Sequence, residues 1–284
     1  MIKKHIIFLI LFSLCLHSFA QGKFIIQDSD ETKIKFKLIN NLIIIPVNIN
    51  GVELSFILDT GVSKPIIFNF FNLTEELQIN QNELIYLRGL GEGDSVEALR
   101  SRNNVFRIGE TISISQDLYA IFDPSINFTP QLGIPIHGII GYDFFKDFII
   151  EINYATKFLK IHSPETYNPK KCKKCKTFKL DFFNLKPYIN VDVLIDTKKV
   201  PVKLLIDSGG SDAIWLFEDD SKNISLPEQY FEDFLGRGLS GSVYGKRSKV
   251  DAMFFGDIKL NNVNVAFPDS ISISYAKKFK ERNG

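Results

Sequence analysis

The triplet Asp-Thr/Ser-Gly occurs twice in this chain, as Asp59-Thr60-Gly61 and Asp207-Ser208-Gly209, each at the end of a similar run. The first run is Val52-Glu53-Leu54-Ser55-Phe56-Ile57-Leu58 and the second is Val200-Pro201-Val202-Lys203-Leu204-Leu205-Ile206. Both alternate apolar and polar residues, then turn wholly apolar just before the Asp, as a strand entering a core does. A second apolar burst follows each Asp at the same spacing, at Ile66-Ile67-Phe68 and Ile214-Trp215-Leu216. Gly89-Leu90-Gly91 and Gly236-Arg237-Gly238 stand at matching places after the two triplets, the second only one position nearer its Asp. Ile108-Gly109-Glu110 and Phe255-Gly256-Asp257 match in the same way, again with a slip of one position. Agreement at spaced landmarks marks an internal duplication.

Short strands dominate the rest of the first unit: Ile34–Leu38, Leu42–Ile49, Glu53–Leu58, Val105–Ile108, Phe148–Ile152 and Phe158–His162. Asn50-Gly51 between two of them is a hairpin-turn signal. Helical periodicity is scarce apart from a short segment at Tyr142–Lys146. The expected architecture is therefore all-β, two small barrel-like lobes. The expected divisions are residues 1–20, a first lobe at 21–165, a Lys- and Cys-rich linker at 166–178 and a second lobe at 179–284.

Residues 1–20 combine a basic start, an apolar run from Ile6 to Leu16 and the small-x-small site Ser18-Phe19-Ala20. That combination reads as a secretory signal peptide cleaved after Ala20, and the run is shorter than the roughly 20 apolar residues of a membrane span. Cys15 follows Phe12-Ser13-Leu14 and so lacks the small residues of a lipoprotein cleavage box. The rest of the chain holds no long apolar run, so the expected product is exported, without a transmembrane segment. A net charge of +1 argues against a dedicated nucleic-acid binder. Cys172 and Cys175 sit among lysines in the linker; exported context favours a local disulfide, with incidental thiols next and redox or metal chemistry last among the alternatives. A closed zinc site needs four ligands and nothing nearby supplies the other two, so no metal and no cofactor is expected.

The paired triplets resemble the catalytic elements of the aspartic-protease superfamily. Gly138-Ile139-Ile140-Gly141 resembles the apolar-apolar-Gly element that packs behind such a triplet, and the likeness runs over about residues 35–284. More closely, the chain is similar to exported bacterial relatives of the retropepsins, some of which carry a PDZ domain after the protease region. The resemblance implies two pepsin/retropepsin-like β-barrel lobes, a peptide or protein substrate, and Asp59 and Asp207 as a catalytic dyad. It implies also that at least the first of two glycine-rich hairpins, Gly89–Gly93 and Gly236–Gly245, is a flap over the substrate, with Gly89, Gly91, Gly93, Gly236, Gly238 and Gly241 as its candidates. Related one-lobe enzymes dimerise, whereas two triplets in one chain allow a dyad within a monomer, so the oligomeric state stays open.

The chemistry accounts for needing two triplets. Peptide hydrolysis without a metal or nucleophilic side chain requires one group to take a proton from water and another to protonate the carbonyl oxygen. Two close carboxyls do not both ionise cheaply, so the pair supplies base and acid together. Gly61 and Gly209 let the backbone turn beneath each carboxyl, and the Thr60 and Ser208 hydroxyls have the capacity to tie the loops together. Val62 and Gly210, next in line, offer no side-chain donor to the carboxylates, which predicts a weakly acidic optimum.

Competing chemistries fit less well. Gly236-Arg237-Gly238-Leu239-Ser240-Gly241 matches a dinucleotide fingerprint, but strand-like residues follow it where a helix is required. His137 and His162 lie in no His-x-x-x-His or nucleophile-elbow pattern, and His137 reads as a packing residue. A two-carboxylate glycosidase would not require paired triplets. One irregularity concerns the second unit. The spacings from Asp59 to Gly138 and to Gly141, carried over to Asp207, run past Gly284. The second lobe is therefore expected to be incomplete at its C-terminal side, leaving unpaired sheet edges. Three functions follow: an aspartic endopeptidase, a non-catalytic protease-like peptide-binding or sensory protein, and an inactive remnant.

Overall fold

Strand Leu42–Ile49 and strand Val52–Leu58 pair antiparallel about Asn50-Gly51, as the alternation predicts. Both turn residues have positive φ, 50° and 98°, the geometry that Asn-Gly accommodates with least strain. The Asn50 side chain then fixes the turn to its surroundings, accepting from the Val105 N–H at 2.8 Å and donating to the Gln78 carbonyl at 2.6 Å. The computed structural model describes residues 22–73, 76–79, 81–169, 172–279 and 281–284. The expected signal segment, with Cys15, lies outside them.

The first lobe is a closed barrel. Going round it, Thr111–Ala120 pairs with Ile66–Ile67, then come Gly138–Ile140, Val52–Leu58, Leu42–Ile49 and Val96–Ile108, which pairs back to Thr111–Ala120. A three-stranded sheet, Ile149–Asn153, Phe158–His162 and Glu31–Lys35, flanks the barrel and contributes Leu159 and Ile161 to its core. Phe24 meets Phe106 and Phe144 edge to face at centroid distances of 6.3 and 5.4 Å, and all three rings are buried. Burial of each such ring favours the fold by about 2–3 kcal/mol. The short helical segment expected near Tyr142 is present as Tyr142–Phe145, directly after Gly141.

The second lobe repeats the plan with longer hairpins. Lys186–Ile195 pairs with Lys198–Leu205 and with Gly241–Phe255, which pairs in turn with Phe231–Gly238 and Ile258–Pro268. Its core is a separate cluster that includes Val193, Leu204, Leu216, Val265 and Phe267. Closure rests on single bridges rather than full strands: Trp215 bridges to Ala266 in parallel, as Ile66 does to Tyr119. No described residue between His162 and Asp181 belongs to a strand, and Cys172 and Cys175 in that stretch form a disulfide.

Candidate active site

Strands Val52–Leu58 and Lys198–Leu205 carry the two triplets to one place, where their loops interlock. The Thr60 N–H donates to Ser208 Oγ at 3.1 Å, and the Ser208 N–H donates to Thr60 Oγ1 at 3.0 Å. Each hydroxyl also donates across the junction, Thr60 Oγ1 to the Ile206 carbonyl at 2.6 Å and Ser208 Oγ to the Leu58 carbonyl at 2.8 Å. These hydrogen bonds join the lobes through two small side chains, each bond contributing on the order of 1 kcal/mol. The Gly61 N–H donates to Asp59 Oδ1 at 2.6 Å, and the Gly209 N–H donates to Asp207 Oδ1 at 2.9 Å. Glycine is required here for space: a methyl on Gly209 would overlap the Asp59 carboxyl.

The two carboxyls do not share one environment. Asp59 is half-buried and Asp207 is exposed. The Asp59 carboxyl is held well above its ordinary value of 3.8, chiefly by burial, then by the Asp207 charge and a hydrogen bond with Asp207. The Gly61 N–H and the Lys186 ammonium pull in the opposite direction. A carboxyl pair of this kind retains a proton where isolated carboxylates are fully ionised.

Both glycine-rich segments are hairpin tips. Gln81–Leu87 and Val96–Ile108 pair up to Leu87 and Val96, leaving residues 88–95 as the first tip; Leu239-Ser240 form the second, with Gly245 inside a strand. The strand Gly241–Phe255 begins at Gly241, so the dinucleotide-like pattern has no helix behind it. The tips bind one another: the Ser240 N–H donates to the Leu90 carbonyl at 2.9 Å, the Gly93 N–H to the Ser240 carbonyl at 2.7 Å. Each hairpin also reaches a loop of the opposite lobe. The Gly91 N–H donates to the Ser272 carbonyl at 2.9 Å, and Arg237 Nη2 donates to the Ser125 carbonyl at 2.9 Å. A cavity of about 710 Å³ opens beside the tips, lined among others by Val96, Glu97, Phe122, Ile126, Arg237 and Leu239. Neither aspartate lines it, so its walls belong to the hairpin side of the site.

Behind the first triplet, Gly138–Ile140 runs parallel to Phe56–Leu58, and the Asp59 N–H donates to the Ile140 carbonyl at 2.8 Å. Gly141 packs so closely that a methyl there would overlap the Asp59 carbonyl oxygen. In the second unit, the described residues include a counterpart of only the start of this element. The His137 N–H donates to the Ser55 carbonyl and the Phe68 N–H to the His137 carbonyl. The Asn283 N–H likewise donates to the Lys203 carbonyl and the Phe217 N–H to the Asn283 carbonyl. Asn283-Gly284 therefore occupy the place of His137-Gly138, with Gly284 accepting from the Leu205 N–H at 3.1 Å. The step from Asp207 to Gly284 is slightly shorter than that from Asp59 to Gly138, which is why a transferred offset misses it.

Several contributing residues were not singled out from the sequence. Buried Asp143 accepts from Lys64 Nζ at 2.9 Å, Gln116 Nε2 at 2.8 Å and Lys146 Nζ at 3.3 Å, tying the loop after the first triplet to the segment after Gly141. Lys186 and Arg282 bring positive charge to the two aspartates. Arg237 forms the cross-lobe contact described above. Asp143, Lys186 and Arg282 read in sequence as ordinary charges, and Arg237 stands between two landmark glycines with nothing to mark its contact. His137 is a packing residue as expected: its Nδ1 accepts from the Ser55 N–H at 3.1 Å, and burial lowers its pKa.

The family model described as aspartyl protease matches residues 45–144 and 191–277, taking in both triplets. Among solved structures, a retropepsin-like aspartic protease from Rickettsia conorii is 14% identical, over 50% of this chain and 94% of that one, with a TM-score of 0.31. No curated protein sequence matches the chain.

Proposed function

Because the chain belongs to the aspartyl protease family, we propose that it is an endopeptidase whose Asp59 and Asp207 form one catalytic dyad within one chain. The observation that carries this reading is the reciprocal hydrogen bonding of Thr60 and Ser208, which holds the two triplets face to face. In the working state the pair carries one proton and one negative charge. The ionised carboxylate takes a proton from a water whose oxygen attacks the peptide carbonyl carbon. The protonated carboxyl gives its proton to the carbonyl oxygen, yielding a tetrahedral diol. Collapse of the diol breaks the C–N bond, with a proton passing to the leaving nitrogen and the second product released as a carboxylic acid. Which aspartate holds the proton is a property of the coupled pair.

The raised Asp59 carboxyl supports work in weakly acidic solution, in line with Val62 and Gly210 offering no side-chain donor. A maximal rate at or below about pH 3 would contradict this. Residues 1–20 read as a signal peptide, so the proposed site of action lies outside the cytoplasm, and a mature N-terminus at Gln21 is the corresponding measurement. The exposure of Asp207 favours one competing reading, a protease-like cleft that binds peptide without turnover. Cleavage of an unbiased peptide library by residues 21–284 between about pH 4 and 8 separates the two. The dyad reading predicts cleavage that Asp59→Asn and Asp207→Asn each abolish. Peptide binding without cleavage by folded protein would favour the competing reading.

A further inference from the structure

We propose that Lys186 is a positioning residue that places a fixed positive charge beside the Asp59/Asp207 pair and favours its ionised form. The inference rests on the reading of those two aspartates as a dyad.

Register locates the residue. Tyr188 pairs with Leu205, two positions before Asp207, and Ile44 pairs with Ile57, two positions before Asp59. Two positions further toward the triplets, Lys186 in the second lobe corresponds to Leu42 in the first. Leu42 packs against an apolar cluster containing Ile57, Ile66 and Val62. The duplication therefore puts an apolar side chain behind one aspartate and an ammonium behind the other. The strand is also held against the second triplet, because the Ile206 N–H donates to the Pro187 carbonyl at 2.9 Å.

Lys186 is half-buried, and among the described residues no carboxylate lies within ion-pair distance of it. A desolvated ammonium without a partner is unfavourable, so a compensating charge nearby is required. The acidic groups acting on Lys186 are Asp59 and Asp207, and the other charge is Arg282. The charges of Tyr188 and Asp207 act on Arg282, whose Nε donates to the Gly284 carbonyl at 2.8 Å. The charges of Arg282 and Lys203 act on Tyr188. Burial and Arg282 pull the Lys186 pKa down while the aspartates pull it back up, so the interaction is felt from both sides.

The sign follows from the charge. A cation lowers both dissociation steps of the pair, so its removal moves both limbs of a pH profile upward. The test is a carbon-13 carboxyl titration of the aspartates by NMR in the wild type, Lys186→Leu, Lys186→Met and Lys186→Arg, with Asp59→Asn and Asp207→Asn for assignment. Lys186→Leu and Lys186→Met should raise the apparent titration of the pair by about half a pH unit or more, less so in high salt. Lys186→Arg should retain the wild-type titration. The pH profile of peptide cleavage should move by the same amount. Unchanged titration in the neutral variants would overturn the inference, including where cleavage falls uniformly at every pH, which marks a structural role. Lys186→Met keeps the test open if the branched leucine prevents folding. Because the titration needs no turnover, a shift without any cleavage would count against the protease reading alone, and cleavage without a shift against Lys186 alone.

Discussion

The two lobes present the same triplet on the same kind of strand, yet Asp59 is half-buried and Asp207 is exposed. The difference lies in what stands behind each. In the first lobe, Gly138–Ile140 fills the place beside the triplet strand, and the Ile140 carbonyl receives the Asp59 N–H. In the second lobe, the same path is taken by Asn283-Gly284, which bond to Lys203 and Leu205. Ile206 is 37% exposed, whereas Leu58 is fully buried. The environment of each aspartate depends on what packs against its triplet as well as on the triplet itself.

That comparison is open to direct attack. The largest effect is expected from Gly141→Ala, whose methyl would overlap the Asp59 and Val62 carbonyl oxygens. Urea unfolding should show a loss of about 3 kcal/mol or more. Gly209→Ala in the second lobe meets a side chain, the Asp59 carboxyl, rather than backbone, so its loss should be smaller. Equal losses would break that ordering.

Next comes Asp143→Ala, which strands Lys64 and Lys146 beside a buried site and should cost about 2–4 kcal/mol in the same experiment. Asp212 stands at the same place after Asp207 as Lys64 does after Asp59; it pairs with Arg247 and accepts from Trp215 Nε1 at 2.7 Å. Both side chains of that ion pair are better solvated than Asp143, so Asp212→Ala should cost less. A larger loss at Asp212 would place the stronger brace in the second lobe.

The smallest effect concerns pH. With the folded Asp59 carboxyl raised above 3.8, the folded state binds more protons than the unfolded one. Its contribution to stability is then greatest below about pH 3.8 and declines as pH rises through the folded value. Asp59→Asn should therefore raise the melting temperature at pH 7 and have a diminishing effect toward pH 3, measured by calorimetry. A melting temperature unchanged by Asp59→Asn at pH 7 would contradict the raised Asp59 carboxyl.

Much of this arrangement was legible in the sequence because the repeat constrains it. Both triplets, the Asn50-Gly51 turn and the hairpin-tip glycines are positions where only a few residue types satisfy the backbone or the packing. The second lobe was harder to read. Its corresponding turn is Asp196-Thr197, with φ of 45° and 71°, and a β-branched Thr gives no turn signal of the Asn-Gly kind. The place of Gly284 was hidden by a small change in spacing between the two units. Lys186 was invisible because a lysine at the start of an alternating strand is indistinguishable from a solvent-facing one until the register shows what it stands beside.

The central claim is that one chain supplies both halves of a single dyad, and the most direct measurement is a mixing experiment. Asp59→Asn and Asp207→Asn proteins would be assayed for peptide cleavage separately and then together over a range of concentrations. The reciprocal Thr60–Ser208 hydrogen bonds within one chain predict that each variant is inactive, that the mixture stays inactive, and that wild-type specific activity does not depend on concentration. Recovery of cleavage on mixing would mean that the two aspartates come from different chains, and would contradict the account.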